Sequence, residues 1–406
     1  MSGVSIDHLV SIVVLVAAVL LFIGLFNQTL SVAVNYQHNT STAQECSSLL
    51  DAMLLTPAGP PSASGTPVNF GLQDPTLTQY QLSTFELMRL DSSSETPISY
   101  QKTSLTYSAI TTSPNNYLLY PYSDMIDYAT ASTLLGINGT YGFQLSLTPT
   151  LSISITQTST GSNPLSLSLN VTGTGFPLAY ANVNYLLIPV YLGNTYPDFE
   201  TVTNQAGTVE TNSVGSASVT FANFSLNPNL TYAFVAYAYL DGITGIGYYV
   251  PTPTGNQSIV PFLNPLSTQN VTLANSADVF NIPPANTLNY NTTFILESQN
   301  YAIQETLLGS SNPSGSVTSG TGYSPGTISM GSYSQGILVI AYSNSGSSGV
   351  TLVPWGFSSL GFSMTFGGTP MNHGWVATDL RQVEINGISY QAKLSVWSEQ
   401  AYSETG

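Results

Sequence analysis

Beyond hydroxyl groups, three histidines, one cysteine, twenty carboxylates and four cations are what 406 residues offer for acid–base, nucleophilic or metal chemistry. His8 and His38 flank an apolar segment, which leaves His373, in Pro370-Met371-Asn372-His373-Gly374-Trp375, as the imidazole of the chain body. Beside Trp in a glycine-containing turn it reads as a loop residue. No Gly-x-Ser-x-Gly elbow supplies an activated nucleophile, and no glycine-rich phosphate loop follows a strand and opens a helix. The single Cys46 excludes an intramolecular disulfide and a Cys-built zinc site. It reads as a small apolar helix residue, with an intermolecular disulfide or a lipid attachment as the sharper alternative. Three imidazoles so placed are too few for a copper or zinc centre.

Glycoside hydrolysis needs two carboxylates flanking the scissile bond, and Asp198 with Glu200 or Asp379 with Glu384 are close enough in sequence to be candidates. Asp124 and Asp127 lack the oxygen-rich, glycine-containing loop of a calcium site. The expectation is therefore no catalytic, cofactor or metal site, with a glycan-acting surface hydrolase as the third-ranked function.

Composition points to a surface wetted by Ser, Thr, Asn, Gln and Tyr, because charged residues make up only 6% of the chain against roughly 25% in an average soluble domain. A formal charge of −16 with four basic residues gives no footprint for nucleic acid or anionic headgroups. Aromatic residues at 11%, with many Val, Ile and Leu, exclude disorder, and the length suggests two or three domains. Arg381 beside Asp379 and Glu384, and Lys393 on the last strand, are expected to form local ion pairs. So few ionisable groups predict tolerance of acid and of proteases that cut at Lys and Arg.

The elements that must position these residues begin with Leu9–Phe26, LVSIVVLVAAVLLFIGLF, which as a helix covers about 27 Å and just crosses a bilayer. No basic n-region precedes it and no small-residue cleavage site follows, so it reads as an uncleaved or barely trimmed anchor. Helical spacing continues through Ala43, Cys46, Leu49, Leu50, Met53 and Leu54, with Glu45 and Asp51 opposite, to a stop at Thr56-Pro57-Ala58-Gly59-Pro60-Pro61. One helix over residues 1–55 results, greasy in its first half and amphipathic in its second, which should dock on a head or on neighbouring copies. Neither flank is basic, so orientation comes from candidate N-glycosylation sites at Asn39, Asn138, Asn170, Asn223, Asn229, Asn256, Asn270 and Asn291, with Asn27 at the membrane edge. They indicate a single-pass cell-membrane protein with an extracytoplasmic ectodomain. Its expected partners are the bilayer, other copies through the helix, and surface glycans or proteins.

After the helix the pattern has period two. Phe143, Leu145 and Leu147; Leu151, Ile153 and Ile155; and Leu165, Leu167, Leu169 and Val171 alternate with polar residues, as strands with one buried face do. Two short helices are expected: one opened by a Ser83/Glu86 capping box, the other capped at Ser123, with Asp124 and Asp127 near its start and Gly136 closing it. Residues 309–336, rich in Ser, Gly, Thr and Tyr, read as a long surface loop, and Asn386-Gly387 marks a closing hairpin. The fold class is mainly β, with a long N-terminal transmembrane helix, a few short helices and a β-sandwich. The domain expectation is 1–55, a β-rich unit made of 62–150 and 257–406, and a module at 151–252 inserted between them.

Within that module, Val171-Thr-Gly-Thr-Gly-Phe-Pro-Leu-Ala-Tyr-Ala-Asn-Val183, Gly215-Ser-Ala-Ser-Val-Thr-Phe221 and Leu230-Thr-Tyr-Ala-Phe-Val-Ala-Tyr-Ala-Tyr-Leu-Asp241 resemble immunoglobulin-like and carboxypeptidase-regulatory-like sandwiches of surface proteins. The resemblance implies spacing or adhesion, not chemistry. The opening Met1-Ser-Gly-Val-Ser-Ile-Asp-His-Leu-Val-Ser-Ile12, Ser47-Ser-Leu-Leu-Asp-Ala-Met-Leu-Leu-Thr-Pro57, the stretch 128–145 and the ending 381–397, Arg-Gln-Val-Glu-Ile-Asn-Gly-Ile-Ser-Tyr-Gln-Ala-Lys-Leu-Ser-Val-Trp, resemble an uncharacterised group of archaeal membrane-anchored surface proteins. Their architecture is similar to that of type IV pilins, whose N-terminal helices bundle in a filament. Gly3 and Asp7 would then be the processing and assembly residues, but Gly3 lacks a preceding basic residue and Asp7 stands four residues on, where pilins place a glutamate five into the mature chain. Asp7 could pair with a neighbouring N-terminus or lie at the membrane interface. The leading expectation is a non-enzymatic, structural or adhesive surface protein, with a pilin-like filament subunit as alternative.

Overall fold

A computed structural model describes residues 3–57, 69–76, 78–91, 97–113, 116–122, 125–159, 164–199, 204–225, 227–263, 270–282, 286–297, 303–306, 314–330, 335–356, 360–370 and 375–399. The chain is about 50% strand and 22% helix, so the mainly β class holds. Helix α1 (Gly3–Leu55) carries most of the helical content, followed by α2 (Thr84–Asp91), α3 (Tyr128–Leu134) and α4 (Ser276–Val279).

The strands before the sandwich are β1 (Ile98–Tyr100), β2 (Leu105–Ser113), β3 (Asn116–Pro121) and β4 (Tyr141–Pro149). The sandwich comprises β5 (Leu151–Gln157), β6 (Pro164–Gly173), β7 (Phe176–Pro177), β8 (Asn182–Tyr191), β9 (Gln205–Glu210), β10 (Ser216–Ser225), β11 (Leu230–Leu240) and β12 (Ile243–Tyr249). Then come β13 (Ile259–Leu263), β14 (Asn270–Asn275), β15 (Thr287–Glu297), β16 (Ile303–Thr306), β17 (Ser314–Thr318), β18 (Gly326–Ser329), β19 (Gly336–Ser343) and β20 (Ser348–Trp355). The chain closes with β21 (Met364–Gly367), β22 (Ala377–Ile385) and β23 (Ile388–Ser398).

In the sandwich, β10-β6-β5 faces β12-β11-β8-β9, the crossed-over order of an immunoglobulin-like fold. Between them lies a core of their alternate residues, among them Leu151, Leu167, Leu169, Val171, Leu187 and Phe234. The opposite residues of β8 and β11, including Leu186, Ile188, Val190, Val235 and Tyr237, are also buried, but in a second and larger core shared with the rest of the chain. The sheet β16-β15-β19-β20 contributes Phe294, Leu338 and Leu352 to that core, and Asn289 and Asn291 of β15 donate hydrogen bonds to Thr195 O (2.8 Å) and Pro197 O (2.9 Å). A six-stranded sheet, β1-β2-β3-β13-β14-β18, adds Leu118, Val271 and Leu273, and carries a small core of its own around Tyr100, Tyr107 and Phe262.

The sheet that meets α1 is β21-β4-β23-β22. β4 runs through Thr150, whose N–H bonds Ser389 O (2.8 Å), directly into β5, and β21 to β23 come from the end of the chain. Its closing hairpin turns on Asn386 (φ 49°) and Gly387 (φ 75°), the left-handed pair a two-residue turn requires.

Three local expectations are corrected. Residues 309–336 include strands β17 and β18, which pair with β15 and β14. Glycine made this segment look like loop, but Gly315 and Gly326 are the positions where the chain passes the Tyr290 ring. The second short helix starts at Tyr128 and is capped by Asp127, whose Oδ1 accepts from Thr130 N–H (2.7 Å), while Ser123 and Asp124 lie outside the described residues. The Ser83/Glu86 box is half formed: Ser83 Oγ takes the Glu86 N–H at 3.5 Å, but the Ser83 N–H goes to Leu72 O and the Glu86 carboxylate to the buried Arg89 (3.0 Å).

Candidate functional site

Helix α1 divides where its surroundings change. From His8 to Gln37 every side chain is exposed, and from Thr42 onward one face is covered by the β22–β23 part of its sheet. Its most apolar 18-residue stretch has a mean hydropathy of 3.2 and none of it is buried. Exposed Leu, Ile, Val and Phe in such density cost heavily in water. The helix is long and apolar enough to span a membrane.

The docked part holds Cys46, Leu49, Leu50, Met53 and Leu54 against the sheet. Ala43, expected on this face, is exposed, and the buried residue one turn before Cys46 is Thr42, whose hydroxyl donates back to His38 O (3.0 Å) and so enters the core satisfied. Cys46 Sγ lies 3.5 Å from Leu394 O and 3.8 Å from Ala377 O. Burial, reinforced by the Asp379 charge, pushes its thiol up to about 11, which makes it inert at neutral pH. At the edge of this contact Arg381 meets Asp379 (2.6 Å), Asp51 of α1 (3.4 Å) and Ser47 Oγ (3.2 Å). Hydrogen bonds from Ser47, the Leu380 N–H and Arg381 hold the Asp379 carboxyl below its usual range, against an opposing burial effect.

The expected chemistry is not assembled. Asp379 and Glu384 lie on opposite faces of β22: Asp379 points with Ala377, Arg381 and Val383 toward α1, and Glu384 points with Thr378 and Gln382 to solvent. The ion pair expected between Arg381 and Glu384 is therefore replaced by the one to Asp51. Asp198 pairs by its backbone with Tyr191 and accepts from Asn194 Nδ2 (3.2 Å), while Glu200 lies outside the described residues. His373 lies outside them too. Among the described residues no cluster of His, Cys, Asp and Glu could hold a metal.

Of the candidate glycan acceptors, Asn138, Asn170, Asn223, Asn229 and Asn256 are exposed, and Asn39 and Asn270 are half-buried. Asn291 spends its amide nitrogen on Pro197 O and its oxygen on the Thr292 N–H, so it is held inside the fold. Gly3 opens α1 and Asp7 stands about one turn in; His8 is exposed.

Sequence reasoning passed over one further locality. The three most exposed large apolar side chains off α1, among the described residues, are Phe176 (74%), Val214 (65%) and Tyr180 (61%), all at one end of the sandwich. The signal available in the sequence was Phe176, Tyr180 and Val214 standing in short segments rich in Gly, Thr, Asn and Ser.

No protein-family model matches this chain, and no curated protein does. Among solved structures it is similar to the BSP domain of a biofilm-associated protein, at 14% identity over 50% of this chain and 29% of that one, with a TM-score of 0.15. It is also similar to red sea bream transglutaminase, at 10% identity over 62% of this chain and 37% of that one, with a TM-score of 0.18. The chain thus spans well under half the length of either structure. Superpositions at these scores carry neither a fold nor an activity over to this chain.

Proposed function

We propose that this is a non-enzymatic cell-surface protein, held in a membrane by residues 9–26 and presenting a structural or adhesive β-rich head on the extracytoplasmic side. The observation that carries the proposal is the abrupt change along α1: an apolar helix bare on all sides, continuous with a stretch locked into the head by Leu50, Met53, Leu54 and the Arg381–Asp51 pair. A helix of this kind gives a rigid head a fixed attachment. The scarcity of charged residues, exposed Asn acceptors and a buried, unreactive Cys46 fit an outward-facing location. The test is fractionation of cells making the full chain, followed by protease treatment of intact cells. The expected result is retention in the membrane pellet through carbonate washing, with the head removed from outside; release by carbonate, or protection of the head in intact cells, would overturn it.

One geometric feature favours a second reading, a filament subunit: the free half of α1 exceeds a bilayer span, leaving residues 27–37 as bare helix available to other copies. The mass of the N-terminal peptide separates the two. A chain beginning at Val4 supports processing at Gly3 and the filament, and a chain keeping Met1 or Ser2 supports the uncleaved anchor.

A further inference from the structure

The sandwich end at which β5 enters from β4 gathers four connections. These are the β6–β7 turn, the loop from β7 to β8, the loop from β9 to β10 and the β11–β12 turn. They are tied into one platform: Val171 N–H bonds Gly215 O (2.8 Å), Leu178 N–H bonds Val171 O (3.0 Å), Tyr180 N–H bonds Thr211 O (3.1 Å), and Thr211 Oγ1 donates to Leu178 O (2.7 Å) while accepting from Ala181 N–H (2.9 Å). A platform so cross-linked could have folded its apolar side chains inward. Instead it holds Phe176, Tyr180 and Val214 out in solvent, more exposed than any other large apolar residue beyond α1 among those described.

Left-handed backbone collects at the same place. Of the seven non-glycine residues with positive φ among those described, three are here: Thr174 (47°), Tyr180 (60°) and Asp241 (50°). Thr174-Gly175 (47° and 89°) and Asp241-Gly242 (50° and 82°) are two-residue hairpin turns, which need positive φ at both positions, and a β-branched Thr174 and a bulky Tyr180 are uncommon occupants of the left-handed region. Beside them a pocket of about 190 Å³ opens between the two sheets, walled by Leu178, Leu240 and Ile243 with Asp241 at the rim. Thr150 also lines it, and its Oγ1 is buried without a hydrogen-bond partner among the described residues.

The chemistry on offer is narrow. Exposed Tyr and Phe rings provide flat apolar faces, Asp241 accepts hydrogen bonds, and Thr150 and Thr174 can donate and accept them. No Lys or Arg occurs anywhere from 151 to 250, while Asp241 and Glu210 both sit at this end. A phosphate, an acidic sugar or an anionic lipid headgroup is disfavoured there. A neutral sugar fits this chemistry: its C–H face can stack on the exposed rings beside the pocket or lie against Leu178, Leu240 and Ile243 within it, and its hydroxyls can bond Asp241, Thr150 and Thr174.

We propose that this loop platform binds neutral oligosaccharides, with Tyr180 and Phe176 as stacking residues and the Asp241-rimmed pocket as the seat of one sugar ring. The proposal rests on the outward-facing reading above, which puts the platform among surface glycans. The test is calorimetric titration of the full chain in nanodiscs with maltohexaose, cellohexaose and mannohexaose, with sialyllactose as the acidic control. At least one neutral hexaose should bind and sialyllactose should not. Tyr180→Ala and Phe176→Ala should each weaken binding about tenfold, the worth of one stacked ring, with melting temperature unchanged. Tyr196→Ala, at an exposed tyrosine on the β8–β9 connection, should leave affinity as it was. The proposal is overturned if no neutral hexaose binds at millimolar concentration, if the two ring variants bind as wild type, or if they abolish self-association or vesicle binding and not sugar binding. Sugar binding by a protein that fails the fractionation test would sink the surface reading and leave the site standing; the reverse pattern would do the opposite.

Discussion

Trp397 and Gly142 face each other across β23 and β4, and the indole occupies the space a side chain on Gly142 would need. The device recurs: Tyr185 lies over Gly207, Tyr290 over Gly315 and Tyr342 over Gly349, each pair directly opposite in an antiparallel ladder. A large ring folded over a cross-strand glycine replaces the packing that the glycine lacks. Gly142→Ala is therefore expected to cost about 1–3 kcal/mol in urea unfolding and to shift Trp397 fluorescence, because the indole must move; wild-type stability with an unshifted spectrum would refute the pairing. The tyrosines also set the pH response. Burial pushes Tyr248 up to about 12 and raises Tyr100, Tyr232 and Tyr342 further. Their folded pKa values lie above the unfolded value of about 10, so this stabilisation is complete below pH ~10 and is lost as pH rises through the folded values. Asp127 and Asp379 are shifted down, by hydrogen bonds to Thr130 and by the Ser47, Leu380 and Arg381 contacts respectively, so their stabilisation is present above about pH 4 and is lost as pH falls below it. A melting temperature that is flat from about pH 5 to 9 and drops steeply above about pH 10 is the expected profile. Neither the glycine–aromatic pairs nor the depth of these tyrosines was legible in the sequence, because both depend on which strand lies opposite.

At the scale of elements, α1 shows how far local pattern reaches. The spacing of Cys46, Leu49, Leu50, Met53 and Leu54 was enough to predict a helix with one docked face, and the stop before Pro57 follows from the missing N–H of proline. The partner of that face was not legible, since β22 and β23 lie more than three hundred residues away. Leu50→Ala is expected to lower stability by about 2–5 kcal/mol, and Arg381→Ala by about 1 kcal/mol or less, since Arg381 is partly exposed. Chemical denaturation of both variants checks the order, and a larger loss for Arg381→Ala would mean that the ion pairs, not the apolar face, hold the helix. Arg381 also closes an edge. Its guanidinium bonds Leu380 O (3.1 Å) while Asp379 takes the Leu380 N–H (2.7 Å), so both outward backbone groups of this residue on edge strand β22 are occupied by neighbouring side chains. The first short helix departs in detail for the opposite reason: Ser83 has the right residue type for a cap, but its N–H goes to Leu72 O across the fold and the Glu86 carboxylate to Arg89 one turn on.

For the whole molecule, the decisive feature is a sheet buried on both faces. β8 and β11 send alternate residues into two different cores, so the sandwich shares a wall with the rest of the head. Strict alternation at Leu165 to Val171 and at Ser216 to Phe221 announced the outer sheet, whose other face is hydroxyl-rich and wet. In β11 the run Tyr232-Ala-Phe-Val-Ala-Tyr-Ala238 has no polar member, which is the mark of a strand covered twice, although it does not say by what. A fragment of residues 151–252 made alone would expose Leu186, Ile188, Val190 and Val235. It is expected to aggregate or to bind hydrophobic dyes, whereas the full head should not; a soluble, cooperatively melting fragment would contradict this.

The stretch of α1 between the apolar segment and the docked face sets a height. With residues 9–26 in a bilayer, residues 27–41 form a rod of about 22 Å, and none of its side chains is charged. At physiological ionic strength the Debye length is about 8 Å, so the rod is longer than two screening lengths. The net negative charge of the head, which holds every charged residue of the −16 chain but Asp7, therefore stands beyond the reach of an anionic lipid surface and is neither repelled nor tilted by it. Shortening the rod would bring that charge down into the field.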